Sequence, residues 1–588
     1  MPFDATVLTA LKPELDGLSG SRVLKVYQPA RLELVLTLRL EGENVRLLLS
    51  AHPERARLHI TTRAQANPPT PPAFCMYLRR HLEGARLTGI RRPPGERIVG
   101  LKFEGRDELG ERVQLELIAE IMGKHSNIIL VNNASGLILE AIKHVTEEVN
   151  RFREVLPGLP YRNPPPLEKP LLEDLTELAF YSKLQAQKNE VVKALVGTVA
   201  GFSPLLAREV VVRAGLDEEL NVKAASRADL ERLWQALTEL REQIANGRWS
   251  PTVYLSPEGK ALEVAPFPLT LLGAFPRETF PTMSAALDFF YAKKEEEERF
   301  TSTRQNLMSW LKRAQERVEK KLGLHLEAVR EASASEKYRR FGELLLANAY
   351  RIPAGTTEVE LEDWETGAPV RIPLDPRFTP PKNAQVYFRR FAKAKKTLLA
   401  AREQAARDRE ELNYLESVGL ALDAAEDLAD LEEIKAELEK EGYLKNPEPN
   451  RAGNQAHQTR SQPLTFYSSA GWTILVGRNN RQNDRLTLRQ AKPEDLWFHA
   501  KDIPGAHVVV RCPEGKFPPE ETIYEAALLA AYYSRARHSS QVPVDYTHCR
   551  HVRKPAGARP GFVIYDHQRT VYVTPAEEKI KALRSKLS

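Results

Sequence analysis

Two long stretches of the chain repeat apolar residues at helical spacing, and they constrain the fold more than any other feature. Between 293 and about 338 the repeat consists of Leu307, Leu311, Ala314, Val318, Leu322, Leu326 and Val329. It returns between 391 and 440, where it ends with Leu428, Leu431, Ile434 and Leu438. Steps of three and four residues are typical of helices that pack along one apolar seam.

The segment between these stretches is not helical throughout, because 358–376 has the alternation of a short β-hairpin. Two seamed helices with a compact insert predict an antiparallel coiled-coil arm over 285–445, with a middle insert at about 340–390. The alternative is a globular helical bundle. Dense Glu and Lys flanks, such as 293–300, favour the arm.

The first 170 residues predict a β-rich domain. Apolar and polar residues alternate in short runs separated by Gly and Asn, at 31–40, 44–51, 97–105, 112–121 and 126–133. One helix is predicted over 71–84, ending at Gly84. The proline-rich segment 159–170 is predicted to close the domain as a linker.

Residues 175–270 are predicted to be mostly helical. Within them, 196–215 has the form of a helix, a tight glycine turn and a second helix. This pattern resembles a helix-hairpin-helix unit, whose turn can present backbone N–H groups to a phosphate. Any helical hairpin with a glycine corner gives a similar pattern, so the signal alone does not establish nucleic-acid binding.

The C-terminal part predicts a basic α+β module over 464–588, introduced by a polar linker at 446–463. From 460 onward, 20 Lys and Arg against 12 Asp and Glu give a net charge of +8, whereas the whole chain carries +6. A strand is predicted before an Asn479-Asn480 turn, with a buried strand at 505–511, a helix at 525–537 and a hairpin at 561–575. A basic module on a neutral body favours a polyanionic partner such as RNA; the alternative is a solvated basic surface.

Three segments of this module combine aromatic planes with hydrogen-bond donors, which suits flexible or single-stranded RNA. Trp497 and Phe498 supply the planes, and 551–565 is a basic loop with Gly and Pro. Arg478, Arg481 and Arg485 flank the Asn479-Asn480 turn as a predicted phosphate clamp. The predicted RNA-binding donors and planes are Arg478, Arg481, Arg485, Trp497, His499, Lys501, His507, Arg553, Lys554 and Arg559. Taken singly, Trp497 and His499 are more readily explained as buried core residues, and it is the clustering of the segments that favours RNA.

Cysteine use and hydropathy exclude other classes. The three cysteines, Cys75, Cys512 and Cys549, are widely separated, so neither a disulfide framework nor a CxxC zinc finger is expected. No window approaches a membrane span, and Asp4 interrupts any signal-peptide pattern. We therefore expect a reduced, cytoplasmic protein without a membrane partner.

The chain resembles the NFACT family at motifs that follow the family's order from end to end. They lie at 1–5, 47–59, 71–84, 120–130, 477–484, 495–511 and 554–565. The resemblance implies a multidomain α+β fold with an NFACT-N domain at 1–170, a helix-hairpin-helix region at 175–270, the coiled-coil arm with its insert, and an α+β NFACT-R domain at 464–588.

The family resemblance implies ribosome-associated quality control. Such a factor would bind the large (50S) ribosomal subunit and its rRNA where peptidyl-tRNA is obstructed, and would recruit alanyl-tRNA to extend stalled chains with C-terminal alanine tails that mark them for degradation. A small S4-like RNA-binding protein is a further implied partner. Because the ribosome performs peptidyl transfer, the chain is expected to be a binding factor rather than an enzyme, with no catalytic residue, cofactor or metal. It contains no P-loop sequence.

The resemblance also implies site residues. An early Asp and an Asp-Arg pair bind tRNA in the family's N-terminal domain, and here they match Asp4, Glu96 and Arg97, with Glu in place of the usual Asp. In the NFACT-R domain, the Asp-x-Trp-x-His pattern falls on Asp495, Trp497 and His499.

Two further functional classes are considered. A DNA glycosylase of the MutM type would use Pro2 as nucleophile, but Phe3 stands where an acid is needed, and scattered cysteines cannot build the zinc finger. A fibronectin-binding surface adhesin is suggested by an older label of the family, but the sequence shows no export signal, anchor or repeat to support it.

Overall fold

The computed structural model describes residues 3–106, 110–148, 152–165, 168–445, 462–513 and 516–584. The chain divides into two compact units, Met1–Glu297 and Glu298–Ser588. Most of the predicted linker at 446–463 lies outside the described residues.

The first unit begins with two short helices and a nine-stranded antiparallel sheet. The helices are α1 (Ala5–Ala10) and α2 (Lys12–Asp16). The strands are β1 (Arg22–Ala30), β2 (Glu33–Leu40), β3 (Glu43–Ser50), β4 (Arg57–Thr61), β5 (Arg86–Arg91), β6 (Ile98–Arg106), β7 (Arg112–Glu120), β8 (Asn127–Asn132) and β9 (Ile138–Ala141), in the order β4-β3-β2-β1-β5-β6-β7-β8-β9. The predicted β-rich N-terminal region is confirmed.

Alternation along the strands explains why the sheet forms. In β2, Leu34, Leu36 and Leu38 are fully buried while Arg39 is exposed. The turn into β3 places two consecutive residues, 41 and 42, at positive φ, which suits a tight two-residue hairpin. Helix α3 (Ala73–Leu82) covers the sheet with buried Phe74, Leu78 and Leu82. Gly84 follows it at φ +87°, so the predicted helix and its glycine end are confirmed.

Four helices follow: α4 (Glu177–Gln185), α5 (Val191–Thr198), α6 (Pro204–Arg213) and α7 (Arg227–Ala245). The predicted helix–turn–helix at 196–215 is confirmed as α5, a turn with Gly201 at φ +71°, and α6. The helical prediction for 175–270 is wrong in its last part, where the chain forms β10 (Thr252–Leu255), β11 (Ala261–Ala265) and, beyond it, β12 (Arg277–Thr279). Val253 and Val264 of this small sheet pack into the core of the large one.

The long helix α8 (Met283–Ser333) is joined to the edge of the sheet through a buried carboxylate. Asp288, which is 8% exposed, accepts hydrogen bonds from the Thr61 hydroxyl at 2.6 Å and from the Thr62 amide at 3.0 Å. Its Oδ1 also lies 3.3 Å from the Nε2 atom of His59. Although burial opposes ionisation, these hydrogen bonds, led by the one from His59, lower the pKa of Asp288.

The second unit contains the predicted arm. After α8 come α9 (Glu336–Ala347), β13 (Glu358–Glu362), β14 (Pro369–Pro373), α10 (Pro380–Ala424) and α11 (Leu428–Lys440). Contacts pair Arg304 with Asp423 and His325 with Asp408, so α8 and α10 run antiparallel. The hairpin predicted at 358–376 is confirmed as β13 and β14.

The buried seam of the arm is shorter than predicted. Leu307, Leu311, Ala314 and Val318 are buried against α10, whereas Leu326 is 43% exposed. The apolar repeat at 391–440 also does not form one helix, because α10 ends at Ala424 and a separate helix, α11, begins at Leu428. Asp427 caps α11 through a 2.9 Å hydrogen bond from the Asp430 amide, and α11 folds back onto the same apolar cluster.

The C-terminal domain is an antiparallel sheet covered on one face by a helix. Its elements are β15 (Leu464–Tyr467), β16 (Thr473–Val476), α12 (Asn480–Arg485), β17 (Leu496–Ala500), β18 (Val508–Val510), α13 (Glu520–Tyr532), β19 (Val542–His548), β20 (Val552–Arg553), β21 (Ile564–Tyr565), β22 (Arg569–Val573) and α14 (Glu577–Arg584). The main sheet has the order β15-β16-β18-β17-β19-β22. The multidomain α+β prediction is confirmed.

The hairpin predicted at 561–575 is wrong. Strand β21 pairs with β20, and β22 pairs instead with β19 at the edge of the main sheet. In the described part of the chain, no helix combines the length and apolarity that a membrane span requires.

Candidate nucleic-acid interface

Asp4 stands at the start of the chain's first helix and links it to the helical hairpin. Its Oδ1 accepts hydrogen bonds from the amides of Thr6 at 2.9 Å and Val7 at 3.0 Å, capping α1. Its Oδ2 accepts from the Ser203 hydroxyl at 2.6 Å. The side chain is buried, which raises its pKa, although these hydrogen bonds and the Arg97 charge act in the opposite direction.

Because of this placement, we expect Asp4 to position α1 against the helical hairpin rather than to contact tRNA directly. With only 5% of the residue exposed, its carboxylate is occupied by the protein. Ser203, which caps α6 through a 3.3 Å hydrogen bond from the Leu206 amide, is a site component that sequence reasoning missed. Its position two residues after the glycine of the hairpin turn is the signal that could have identified it.

Glu96 and Arg97 lie in the loop before β6, and both are partly exposed. Within the described residues, neither side chain has a hydrogen bond or an ion-pair partner within 4 Å, although the Arg97 charge lowers the pKa of Asp4. The Arg97 backbone is fixed, since its carbonyl accepts from the Ile121 amide at 2.9 Å. Arg97 therefore combines a fixed backbone with an unpaired guanidinium.

Two glycines bring this loop against the helical hairpin. A Cβ added to Gly201 would lie 2.8 Å from the Ala5 Cβ and 2.9 Å from the Gly95 carbonyl oxygen. Gly95 also has φ +71°, and a Cβ there would lie 2.7 Å from Leu171. Only glycine permits both the positive φ and this approach. The structure thus brings the predicted Asp4, Glu96 and Arg97 together, and adds the hairpin turn to them.

In the C-terminal domain, the predicted aromatic platform lies inside the fold. Trp497 is fully buried, stacks on His499 at a centroid distance of 5.6 Å and meets the edge of His507 at 5.2 Å. Its Nε1 is buried without a hydrogen-bond partner in the described structure. Phe498 is fully buried on the opposite face, against α13. As placed, neither ring can stack on a base.

The remaining residues of this motif also have structural contacts. Burial lowers the pKa of His499 to about 4 and holds that of His507 well below its usual value, so both rings are neutral at pH 7. His507 Nδ1 lies 2.7 Å from the Thr487 hydroxyl. Asp495 is 1% exposed and accepts from the Cys512 amide and the Arg511 guanidinium, both at 2.8 Å. The motif therefore positions neighbouring segments in this structure, and its contact with RNA stays a prediction.

Two of the three arginines predicted as a phosphate clamp are paired with acids of α11. Arg478 Nη1 lies 2.7 Å from Asp430 Oδ2, and Arg485 Nη2 lies 3.1 Å from Glu433 Oε1. Arg481 is partly exposed and has no ion pair within 4 Å among the described residues. The predicted clamp is thus largely occupied by the protein, and the acidic run on α11 is the sequence signal for this.

The basic loop 551–565 is fixed by Asp484. Its Oδ2 lies 2.5 Å from Lys554 Nζ, and its Oδ1 accepts from the Gly561 amide at 3.1 Å. The Arg559 guanidinium lies 5.0 Å from the ring centroid of Tyr414 on α10, with its Nη1 buried and unpartnered within the described structure. Lys554 and Arg559 therefore stabilise the loop in this structure.

Four accessible side chains, Lys501, Arg553, Phe562 and Arg569, form what we call the exposed basic set. Arg553 and Phe562 belong to the loop that covers Trp497, whereas Arg569 pairs with Tyr546 on the α13 side of the sheet. Lys501 and Arg569 are exposed, and the Arg553 side chain is 72% exposed, 3.8 Å from Asp566. Phe562, at 54% exposed, is an aromatic plane on the loop that sequence reasoning missed. Its place in a basic Gly/Pro loop, rather than in an alternating strand, is the signal that could have identified it.

One group of side chains in the described structure could hold a metal ion. The ligand atoms of His551, Asp566 and His567 all lie within 4.8 Å of one another. His567 Nδ1 is 2.7 Å and His551 Nδ1 is 3.3 Å from Asp566 Oδ1. Two of the three residues, His551 and Asp566, are partly buried, and Arg553 competes for the same carboxylate. These contacts are satisfied without an ion, and the sequence-based expectation of no metal stays a prediction.

The fold is that of a multidomain α+β protein whose C-terminal domain carries accessible cations. Residues 4–457 match the family model described as NFACT N-terminal and middle domains, and residues 462–565 match the NFACT protein RNA binding domain. The chain belongs to the NFACT family.

Curated relatives extend this similarity over the full length. The chain is 37% identical to the Rqc2 homolog RqcH of Bacillus subtilis, covering 99% of this chain and 100% of that protein. It is 35% identical to the Rqc2 homolog RqcH of Streptococcus suis, again over 99% and 100%. Among solved structures, the fibrinogen binding protein from Staphylococcus aureus is 29% identical, covering 50% of this chain and 99% of that chain, with a TM-score of 0.42.

Proposed function

We propose that this protein is a cytoplasmic ribosome-associated quality-control factor. It binds the large ribosomal subunit where peptidyl-tRNA is obstructed and recruits alanyl-tRNA, so that the ribosome adds C-terminal alanine tails to the stalled chain. The proposal is supported by end-to-end similarity to the proteins named Rqc2 homolog RqcH.

The structural observation that carries the proposal is the partly exposed Arg97 beside the helical hairpin. A guanidinium is a planar fork that binds phosphate or a base edge through two hydrogen bonds. Here it has no protein partner within 4 Å among the described residues, its backbone is fixed, and the hairpin turn with Gly201 packs against its loop. In the proposed role, Arg97 contacts tRNA, Glu96 orients it or accepts from an RNA hydroxyl, and Asp4 and Ser203 hold the two segments in register.

Residues of the exposed basic set supply the second contact, with rRNA. Lys501, Arg553 and Arg569 are accessible cations, and binding through them should release counterions, which makes affinity strongly salt-dependent. In this proposal no residue of the chain performs covalent chemistry, because the ribosome catalyses peptidyl transfer. A small S4-like RNA-binding protein remains a proposed partner.

The decisive experiment compares Arg97→Ala with Arg112→Ala. Arg112 is an exposed arginine of β7 whose ion pair in the described structure is with Glu104 at 3.4 Å. Arg97→Ala should lose about 1–3 kcal/mol of tRNA affinity, as expected for a charge-assisted hydrogen bond. It should also stop tail addition while co-sedimentation with the large subunit persists. Arg112→Ala should behave as wild type, and Glu96→Asp should be nearly neutral.

Three readouts distinguish the outcomes. Unchanged tRNA affinity and intact tailing in Arg97→Ala would contradict the proposed contact. A large fall in melting temperature would make Arg97 a structural residue. Sequencing the tRNA that co-purifies with the wild-type chain tests the substrate, because a random tRNA population would contradict recruitment of alanyl-tRNA.

A further inference from the structure

The hairpin in the insert of the arm has two different outer edges. Leu374 donates its amide to the Thr357 carbonyl at 2.7 Å, and Asp363 donates to Ala368 at 3.0 Å. Bonded and non-bonded pairs alternate in an antiparallel ladder, so the inward groups of β13 belong to Val359 and Leu361. The N–H and C=O groups that point away from β14 are therefore those of Glu358, Glu360 and Glu362.

Proline closes the outer edge of β14 but leaves that of β13 open. The partners of the three glutamates across the ladder are Pro373, Arg371 and Pro369. By the same alternation their nitrogens face outward, and the two prolines have no N–H to donate. Along β13, in contrast, all three outward residues keep their N–H, and within the described structure none of these amides has a hydrogen-bond partner.

A groove follows the open edge. Its volume is about 680 Å³, and it is lined by β13 from Val359 to Glu362, by Trp364, and by the turn at 348–352. No residue of β14, which is fully described, contributes to it. One aromatic ring lines it, that of Trp364, which is 57% exposed. The open strand edge thus adjoins a space with an aromatic wall.

The negative charge of the outer edge of β13 indicates which kind of strand can pair with it. From 358 to 365 the chain carries five carboxylates and no Lys or Arg. Arg371 pairs with Glu360 at 3.2 Å, and Arg340 pairs with Asp363 and Glu365. Glu358 and Glu362 have no ion pair within the described structure, and Arg351 is the one cation among the groove-lining residues, so the edge keeps a net negative charge. If two copies of the chain paired through β13, rows of glutamates would face each other, and like charges directly opposite destabilise a strand pair. A cationic strand would meet complementary charges at the same positions.

We propose that β13 is a docking edge for an extended, lysine- or arginine-rich segment of another protein, which adds to the hairpin as a third strand. Backbone hydrogen bonds to the outward groups of Glu358, Glu360 and Glu362 provide the pairing. Alternate side chains of the segment lie on the two faces, so that the cationic set meets the glutamates and the other set contacts the groove beside Trp364.

The test uses the full chain and a fluorescein-labelled seven-residue peptide of alternating Lys and Val. Glu360→Pro removes one outward N–H without touching the ladder to β14, and Arg371→Pro makes the same change on the opposite edge of the same residue pair. Because Arg371 also pairs with Glu360 at 3.2 Å, Arg371→Ala serves as the control for loss of that charge. By fluorescence anisotropy, Glu360→Pro should weaken peptide binding at least 10-fold, whereas Arg371→Pro should stay within twofold of Arg371→Ala. Glu360→Gln, which keeps the N–H, should weaken binding only two- to threefold.

Each alternative has its own signature. Equal losses in Glu360→Pro and Glu360→Gln would indicate charge attraction without strand pairing and would overturn the proposal, as would equal losses in both proline variants. Absence of binding to the wild-type chain, or equal binding of a Glu/Val peptide, would also overturn it. A dimer that dissociates on Glu360→Pro, without peptide binding, would assign the edge to a second copy instead. Because these measurements need no ribosome, they are independent of the proposed function.

Discussion

Arg478→Ala tests whether Arg478, which follows β16, stabilises the fold or binds RNA. In the structure its side chain is 15% exposed, and its Nη1 lies 2.7 Å from Asp430, whose side chain is 1% exposed. Glu426 is a second partner at 3.4 Å and is 44% exposed. Replacing Arg478 therefore leaves one carboxylate buried without its main counter-charge.

The expected cost follows from these exposures. Removing one partner of a fully buried pair costs about 3–5 kcal/mol, whereas an exposed pair contributes roughly 0–1 kcal/mol. Since Asp430 is buried and Arg478 is only partly so, we expect a loss of about 2–3 kcal/mol. At roughly 2–4 °C per kcal/mol for a folding unit of this size, the melting temperature should fall by about 4–12 °C.

The matched variant is Arg553→Ala, a member of the exposed basic set. With 72% of the side chain exposed and its nearest carboxylate 3.8 Å away, the stability change should stay within about 0.5 kcal/mol. Its affinity for a fluorescein-labelled RNA should fall, with a shallower salt dependence. Thermal melting and RNA titration at two salt concentrations are measured on both variants. If Arg478→Ala melts like wild type while losing as much RNA affinity as Arg553→Ala, the assignment of Arg478 to the protein interior is refuted.

Three further outcomes are expected. Gly201→Ala should destabilise the first unit by about 2–4 kcal/mol in urea unfolding, because strain at φ +71° adds to overpacking. Gly136→Ala, at φ +70° with nothing within 4 Å of the added Cβ, should cost only about 1–2 kcal/mol. Equal losses would contradict the close approach at Gly201. The pKa of Asp288 is lowered on folding, so its contribution to stability is present above its ordinary value of 3.8 and is lost as the pH falls through the folded value. Asp288→Asn should therefore flatten the fall in unfolding free energy between pH 4 and 2, and an unchanged slope would contradict this. Phe562→Ala should lower RNA affinity by about 1–3 kcal/mol if its ring stacks on a base, while Phe517→Ala, equally 54% exposed, should not; equal effects would remove the stacking role.

Local alternation and capping predicted much of the fold, because those signals lie within single elements. The five predicted strands of the large sheet and the helix ending at Gly84 follow from period-two and period-3.6 patterns. Which strands pair with each other was harder to predict from the sequence. The segment at 561–575 reads as a hairpin, but β22 pairs with β19, whose sequence ends 20 residues before β22 begins, and no local turn signal encodes that partner.

The candidate site was only partly predictable for a related reason. The family pattern singled out Arg97, and the structure brings its loop to the hairpin turn through Gly201, a contact across more than 100 residues. Trp497 and Arg478 have the residue types of an RNA contact, yet their neighbours bury them. Which face of β17 is covered, and which acids face Arg478, depend on how 551–565 and α11 fold back, and composition does not contain that information.

Because the C-terminal domain packs on α10 and α11, a rotation of this domain also moves the distant end of the arm. Asn480 donates to the Ser417 hydroxyl at 2.9 Å, and Arg535 pairs with Glu416 at 2.7 Å. The domain therefore contacts α10 near the C-terminal end of the helix. Pro380, at the other end of that helix, lies about 55 Å away at 1.5 Å per residue. A tilt of about 5° of the RNA-binding domain would carry the insert through about 5 Å, close to the spacing between neighbouring strands. A small rotation on bound RNA could therefore bring the open edge of β13 into or out of reach of its peptide.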